Sequence, residues 1–285
     1  MNYTEAQNIY SQKLEEPEFV KIQDFMLNNL GVKLSPIKIV MVNSRLIKRL
    51  KASGIYNFPD YIKYALSPEG KRNGELQCMI DELTTHKTEF FREAEHFDFL
   101  KNTVLPEMHQ NRNTYFKMWS AGCSTGEEPY TLAMVLHQFQ QLNNGFDFNI
   151  SASDVSSAVL NKAITAVYKE QTVKEMDQSL VKKYFIQGKN EQQNIFTVNK
   201  VLRDKINFSL INLVDHYKFI HNSLDVIFCR NTLIYFEDQA KREVVKKFIA
   251  KLKPGGYLFV GLSETVSQYS KDIKQVSPSV YKKIA

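Results

Sequence analysis

"SAGCSTGEEPY", Ser120 to Tyr130, stands between a short apolar run, "YFKMW" (Tyr115 to Trp119), and a stretch whose Leu132, Val135, Leu136 and Phe139 share one helical face. A plain turn from strand to helix needs a glycine or two. This one adds hydroxyls, two acids and a proline. Working outward, "FDFNISASD" reads as a second strand ending at Asp154, and the helix after it carries Leu160, Ala163, Ile164 and Val167. "LDVIFCRN" (Leu224 to Asn231) reads as a buried strand. A helix with Val244, Val245, Phe248, Ile249 and Leu252 follows, then the strands "GGYLFVGLSE" and "SVYKKIA". Strand and helix in alternation predict an α/β fold with a mostly parallel sheet flanked by helices. "QNIFTVNKVLRDKINFSLINL", Gln193 to Leu213, has no long helix between its strands and is expected to form a small antiparallel insertion, about residues 190–213.

The first 75 residues have a different rhythm. In "IVMVNSRLIKRLKASG", Val42, Leu46 and Leu50 recur at four-residue spacing and Gly54 supplies a stop, so a small all-helical domain is expected over residues 1–75. The turn-rich "SPEGKRNGE" (Ser67 to Glu75) is the expected linker. Residues 76–92 then connect to the α/β domain at 93–285.

Composition narrows the function classes. At 285 residues, 43% hydrophobic and 24% charged, the chain has enough apolar content for a real core. Its longest apolar runs, "IKIVMV" and "YLFVGL", fall far short of the ~20 residues of a membrane span. The opening residues lack the basic head and apolar body of a secretory signal, so a cytoplasmic location is expected. Cys78, Cys123 and Cys229 are scattered and odd in number, and no histidines pair at ligand spacing; no metal site is expected. The net charge of +6 is unevenly spread. No acid occurs between Phe25 and Pro59, where Lys33, Lys38, Arg45, Lys48, Arg49 and Lys51 all lie, so an acidic partner suits this face.

In an open α/β sheet, ligands bind beyond the carboxyl ends of the strands. The polar residues there are "GCSTGEE", Ser153 with Asp154, Asn212 with Leu213, and Cys229 to Asn231. Gly122 and Gly126 let backbone approach a ligand. Asp154 lies where nucleotide folds place an acid on ribose hydroxyls. The spacing is GxxxG, not the dinucleotide GxGxxG, and no P-loop lysine follows. Glu127 and Glu128 would repel a pyrophosphate, so a cationic cofactor with a ribose, S-adenosylmethionine, fits better. Each feature has a plainer reading beside this one: Thr125 with Glu128 matches a capping box, and Asp154 could simply start a helix.

At these residues the sequence resembles the chemotaxis receptor methyltransferase family (CheR). The segments that carry the resemblance are "LTTHKTEFFRE" (Leu83 to Glu93), "WSAGCSTGEEPYTLAMVL" (Trp119 to Leu136), "FCRNTLIYF" (Phe228 to Phe236) and "LKPGGYLFVGLSE" (Leu252 to Glu264). It implies a Rossmann-like S-adenosylmethionine-dependent domain that forms methyl esters on chemoreceptor glutamates and leaves S-adenosylhomocysteine. It marks Arg92 and Tyr235 as catalytic, and His86, Thr88, Arg92, Gly122, Glu128, Asp154, Asn212, Leu213, Arg230 and Asn231 as cofactor-binding. His86 stands where the family usually has asparagine. Lys38, Arg45, Lys48 and Arg49 would dock the acidic receptor bundle, and the antiparallel insertion matches a subdomain that in some members takes a receptor tethering peptide. Neither nucleic acid nor membrane insertion is implied. A glutamate, with a reference pKa of ~4.3, is already ionised near neutrality and needs no general base. An RNA or small-molecule methyltransferase would also use a basic helix but leaves the helical domain without a role, and a sensor that binds the cofactor without transfer has only His86 in its favour.

Overall fold

The computed structural model describes residues 12–110, 114–215, 217, 220 and 222–284. Its first helix, α1 (Glu16–Leu30), has Pro17 with Glu16 and Glu18 in the first turn and is capped by Gly31, whose φ of 67° a side chain would resist. The helices α2 (Ile39–Ser53), α3 (Phe58–Ala65), α4 (Pro68–Arg72) and α5 (Glu75–Leu83) follow. Val42, Leu46 and Leu50 of α2 are fully buried, and Gly54 ends the helix in the left-handed conformation. They pack with Ile22 and Met26 of α1, Tyr61 and Ile62 of α3, and Met79, Ile80 and Leu83 of α5. Each such side chain contributes roughly 1.5–3 kcal/mol on burial.

Two expectations are corrected here. Ser67 to Glu75 is not a linker. The Ser67 hydroxyl accepts the Gly70 amide at 3.1 Å to cap α4, and a Cβ on Gly70 would lie 2.2 Å from the Tyr64 carbonyl oxygen. The helical core continues through Leu83, and the crossing to the next domain runs from Thr84 to Glu93. Arg45 and Arg49, expected to meet a partner, are engaged inside the domain. Arg45 donates to the carbonyls of Glu82, Leu83 and Thr84 at the end of α5 (3.1, 3.1 and 2.9 Å), where a cation complements the helix dipole. Arg49 clasps Glu75 with two hydrogen bonds (3.0 and 2.7 Å), and the Tyr61 hydroxyl donates to the same carboxylate at 2.9 Å. Lys48 is exposed and Lys38 faces the second domain.

That domain opens with α6 (Ala94–Phe99), a π-helical turn (Leu100–Val104) and α7 (Leu105–Gln110). Then come β1 (Tyr115–Ala121), α8 (Glu127–Leu142), β2 (Asp147–Asp154), α9 (Ser157–Thr165) and β3 (Val167–Lys169). After them run α10 (Gln178–Tyr184), β4 (Phe185–Gln187), β5 (Ile195–Val198), β6 (Ile206–Leu210), β7 (Leu224–Cys229), α11 (Asp238–Lys251), β8 (Leu252–Val260), β9 (Ile273–Ser277) and β10 (Val280–Lys283). The main sheet has the order β6-β2-β1-β7-β8-β10-β9, parallel up to β8 and closed by an antiparallel β10-β9 hairpin. All six residues of β7 are buried, as a parallel strand covered on both faces requires. On one face the Trp119 ring meets Phe248 (5.2 Å between centroids) and donates its Nε1 hydrogen to Ser153 Oγ (2.9 Å).

The antiparallel insertion also differs from expectation. The small sheet is β3-β5-β4, drawn from Val167 to Val198, whereas β6 joins the main sheet parallel to β2. Val167 begins β3 rather than extending α9, and Ile164 is exposed; Val159, Leu160 and Ala163 form the buried face. The domains are bolted together at α9. Asp81 of α5 accepts from the Ser157 amide (2.9 Å), the Ser157 hydroxyl (2.8 Å) and the Ala158 amide (3.2 Å), and Gln77 donates to the Val155 carbonyl (2.9 Å).

Replacing Arg49 with Ala leaves the shielded Glu75 carboxylate without its cation, which costs about 3 kcal/mol. Urea unfolding of Arg49→Ala should show the midpoint falling accordingly; an unchanged midpoint would place that clasp outside the stability of the domain.

Candidate active site

β1 lies inside the sheet, with β2 on one side and β7 on the other, so the strand order reverses there. The chain leaves β1 through Gly122 (φ 82°), whose amide, like that of Cys123, donates to the Ser153 carbonyl of β2 at 2.8 Å. A Cβ on Gly122 would stand 2.5 Å from Thr232 Oγ1, so the glycine permits the approach of two crest loops. Ser124, at φ 50°, donates its amide to Asp154 Oδ2 (2.9 Å), and Ser156 donates to Oδ1 (3.0 Å). Burial raises the Asp154 carboxyl above its ordinary range, opposed by those two amides and by the charge of His86.

The capping box read from Thr125 and Glu128 does not form. Gly126 is the N-cap of α8, and the Thr125 hydroxyl donates to Glu127 at 2.6 Å. Glu128 turns inward, accepting from the Ser120 hydroxyl (2.7 Å) and from Arg230 Nε (2.8 Å). The Arg230 guanidinium is almost wholly buried, against the rings of Phe97 and Phe228, and also donates to the Arg92 carbonyl at 2.6 Å. One side chain thus joins the end of β7, the start of α8 and the crossing segment.

A solvent-open cleft lies over this crest, where ligands of open α/β sheets bind. His86, Thr88, Arg92, Gly122, Glu128, Asp154, Asn212, Leu213, Arg230, Asn231 and Tyr235 all line it, so the residues read from five separate segments converge. Of the four expected docking residues, Lys38 lines it too; Arg45, Lys48 and Arg49 do not. The His86 ring meets the Thr84 hydroxyl (2.8 Å), and its carbonyl accepts from the Ser124 hydroxyl (3.0 Å), so it also braces the Gly122–Gly126 loop. Asn212 donates to the Asn29 carbonyl of α1 at 2.7 Å.

Three features escaped sequence reading. The helical domain is a wall of the cleft, through Met26, Leu30, Leu34 and Met41. Glu264 accepts amides from Gly261, Asn231 and Ile234 (2.6, 2.9 and 3.1 Å), holding the loop of Asn231 and Tyr235. Glu93, at φ 54°, accepts from the Asn231 side chain (3.0 Å). Both acids end motifs already quoted, and an acid at a motif boundary was the available signal. Cys123 and Cys229 are buried, which pushes both thiols up and suits them to packing rather than attack.

Replacing Arg230 with Met strands the Glu128 carboxylate and should cost about 3–5 kcal/mol, with the Arg230→Met, Glu128→Gln double variant recovering part of it. A urea-unfolding cycle measures this; strictly additive losses would mean the pair is not coupled.

Residues 86–282 match the family model described as CheR methyltransferase, SAM binding domain, and residues 17–84 match the CheR methyltransferase, all-alpha domain. Relatives include the chemotaxis protein methyltransferase of Borreliella burgdorferi, 37% identical over 97% of this chain and 96% of the relative. That of Klebsiella aerogenes is 34% identical over 97% and 92%. That of Escherichia coli is 32% identical over 94% and 91%. With both domains matched in order and the cleft residues converging where the two meet, the chain belongs to the CheR methyltransferase family.

Proposed function

We propose that the protein methylates glutamate side chains of chemoreceptors with S-adenosylmethionine, forming the methyl esters used in chemotactic adaptation. The observation that carries this is the donor set of the cleft: two shielded carboxylates, Glu128 and Asp154, at the crest, with the Arg92 guanidinium on the crossing segment. An ammonium and a ribose suit the acids, and a carboxylate suits the arginine. The Gly122 approach and the apolar wall of Met26, Leu30 and Leu213 leave room for a flat base beside them. Bound there, the cofactor supplies a methyl group activated on a sulfonium. The protein supplies position. Glu128 is aimed by Arg230 and Ser120, Asp154 by two amides, and Asn231 and Tyr235 by Glu264. Groups already oriented need no reorganisation as charge disappears, and holding anion and cation in line supplies most of the acceleration. The transfer is assigned no metal.

The partner is taken to be the acidic helical bundle of a receptor, met by the acid-free face that carries Lys38 and the exposed Lys48. In the small sheet β3 and β4 are edge strands, which suits strand addition by a receptor tethering peptide. None of the described helices is long and apolar enough to cross a membrane, which fits action from the cytoplasm.

Incubation with methyl-labelled cofactor and receptor-containing membranes should label receptor as a base-labile ester; label absent, or stable to base, would overturn the reading. The pH dependence is also constrained. The Asp154 carboxyl is raised by burial, and ligand hydroxyls favour its ionised form, so ligand binding releases a proton. The kcat/KM for cofactor should therefore climb with pH through the window just above ordinary carboxylate values and then level off. Asp154→Asn should lower it at least tenfold and remove that climb; a variant that keeps wild-type kcat/KM would remove Asp154 from the site.

A further inference from the structure

Thr125 precedes Gly126, the N-cap of α8, so its carbonyl stands outside the helix ladder. Four residues further on is Pro129, which has no amide hydrogen to offer. The carbonyl takes its hydrogen from another sheet: the Tyr168 hydroxyl donates to it at 2.8 Å. Tyr168 is the middle residue of β3, paired with Phe196 of β5. Alternation along that strand turns Val167 and Lys169 to solvent and the tyrosine inward, where it is buried. Burial, and then the charge of Glu127, pushes its hydroxyl well above the ordinary tyrosine value, so it keeps its proton and stays a donor.

The surroundings leave Tyr168 little freedom. A Cβ on Gly126 would lie 2.9 Å from its hydroxyl oxygen and 2.9 Å from Ala163 Cβ of α9, so only a glycine admits both neighbours. The Tyr168 ring meets Phe90 edge-on at 5.0 Å, and Phe90 in turn meets Phe185 of β4 at 5.5 Å. Phe90 lies on the crossing segment between Thr88 and Arg92, both of which line the cleft. The loop of residues 122–126 is thus held from three directions. Asp154 takes the Ser124 amide, the His86 carbonyl takes the Ser124 hydroxyl, and Tyr168 donates to the Thr125 carbonyl. His86 and Asp154 line the cleft; Tyr168 stands behind it, in the small sheet.

We propose that Tyr168 is a positioning residue of the cofactor site: from the small sheet it fixes the loop of residues 124–126, and so sets how tightly S-adenosylmethionine is held. The inference rests on the cofactor reading above and adds a residue outside the cleft on which that affinity depends. Without the hydroxyl, the Thr125 carbonyl loses its donor and the loop is free to turn. Binding must then order it again, a cost that a loop already in place avoids. Once the cofactor is bound the loop is ordered in either case, and the methyl group moves from the same geometry. The loss therefore falls on cofactor affinity, and not on kcat at saturating cofactor or on the receptor KM.

The test is calorimetric titration of the full chain with S-adenosylhomocysteine, in the wild type, in Tyr168→Phe and in Tyr184→Phe, with urea unfolding of each. Tyr184→Phe is the control, since it also removes a buried tyrosine hydroxyl, one that meets His137. Tyr168→Phe keeps the ring and its packing, and should weaken S-adenosylhomocysteine about fivefold, the worth of one hydrogen bond. Methylation of receptor-containing membranes should show the cofactor KM rising by the same factor, with the receptor KM and the kcat at saturating cofactor close to wild type. Tyr184→Phe should lower the urea midpoint with affinity unchanged. Wild-type affinity in Tyr168→Phe, whatever its midpoint, or an equal loss of affinity in Tyr184→Phe, would overturn the proposal while the cofactor reading stands. A folded wild-type chain that takes up no S-adenosylhomocysteine would overturn both.

Discussion

The pairing of Arg230 with Glu128 is the constraint on which the cleft depends. Arg230 leaves the end of the central strand β7 and is stripped of water between two phenylalanine rings, where an unpaired cation would not survive. Glu128, in the first turn of α8, neutralises it, and the Arg92 carbonyl takes a further hydrogen. Three segments far apart in sequence are thereby fixed relative to one another. A buried pair of this kind is weak evidence for stability in itself. Its use here is orientation: it turns a helix-capping acid into a cleft-facing one.

The same device recurs along the crest. Asp154 takes the Ser124 and Ser156 amides, and Glu264 takes those of Gly261, Asn231 and Ile234. In each case a shielded carboxylate organises backbone from a neighbouring loop. Of the eight described non-glycine residues with positive φ, four lie beside them: Phe91, Glu93, Ser124 and Asn231, with φ between 50° and 56°. Non-glycine residues hold that region only when their surroundings compel it. The cleft is thus organised by its own contacts, which suits chemistry that asks for alignment rather than acid–base catalysis.

Sequence reading located the main strands and the crest residues after them because both leave local marks, whereas His86, Thr88, Arg92 and Tyr235 came from the family resemblance. Strands of a parallel sheet are continuous apolar runs, and the residues after them must be polar where the sheet opens. What it misjudged was decided at a distance. Ser67 to Glu75 has the composition of a linker, yet Gly70 is packed onto Tyr64 and the helical core continues to Leu83. Arg45 and Arg49 look like a solvent-facing basic stripe on α2, but their partners lie on α5, more than 25 residues away. The β6 strand has the same alternation as β5, and only its pairing with β2 shows that it belongs to the main sheet. Thr125 and Glu128 have capping-box spacing, which lost to a buried arginine 102 residues later in the chain.

The helical domain changes most in meaning. Its α1 and the turn after it supply Met26, Leu30 and Lys38 to the cleft, and Asn29 anchors Asn212. It closes one side of the site. The central claim, that the crest between the two domains holds S-adenosylmethionine, is tested most directly by calorimetric titration of the folded wild-type chain with that cofactor. The account predicts saturable one-to-one association. A folded chain that takes up no cofactor would contradict it.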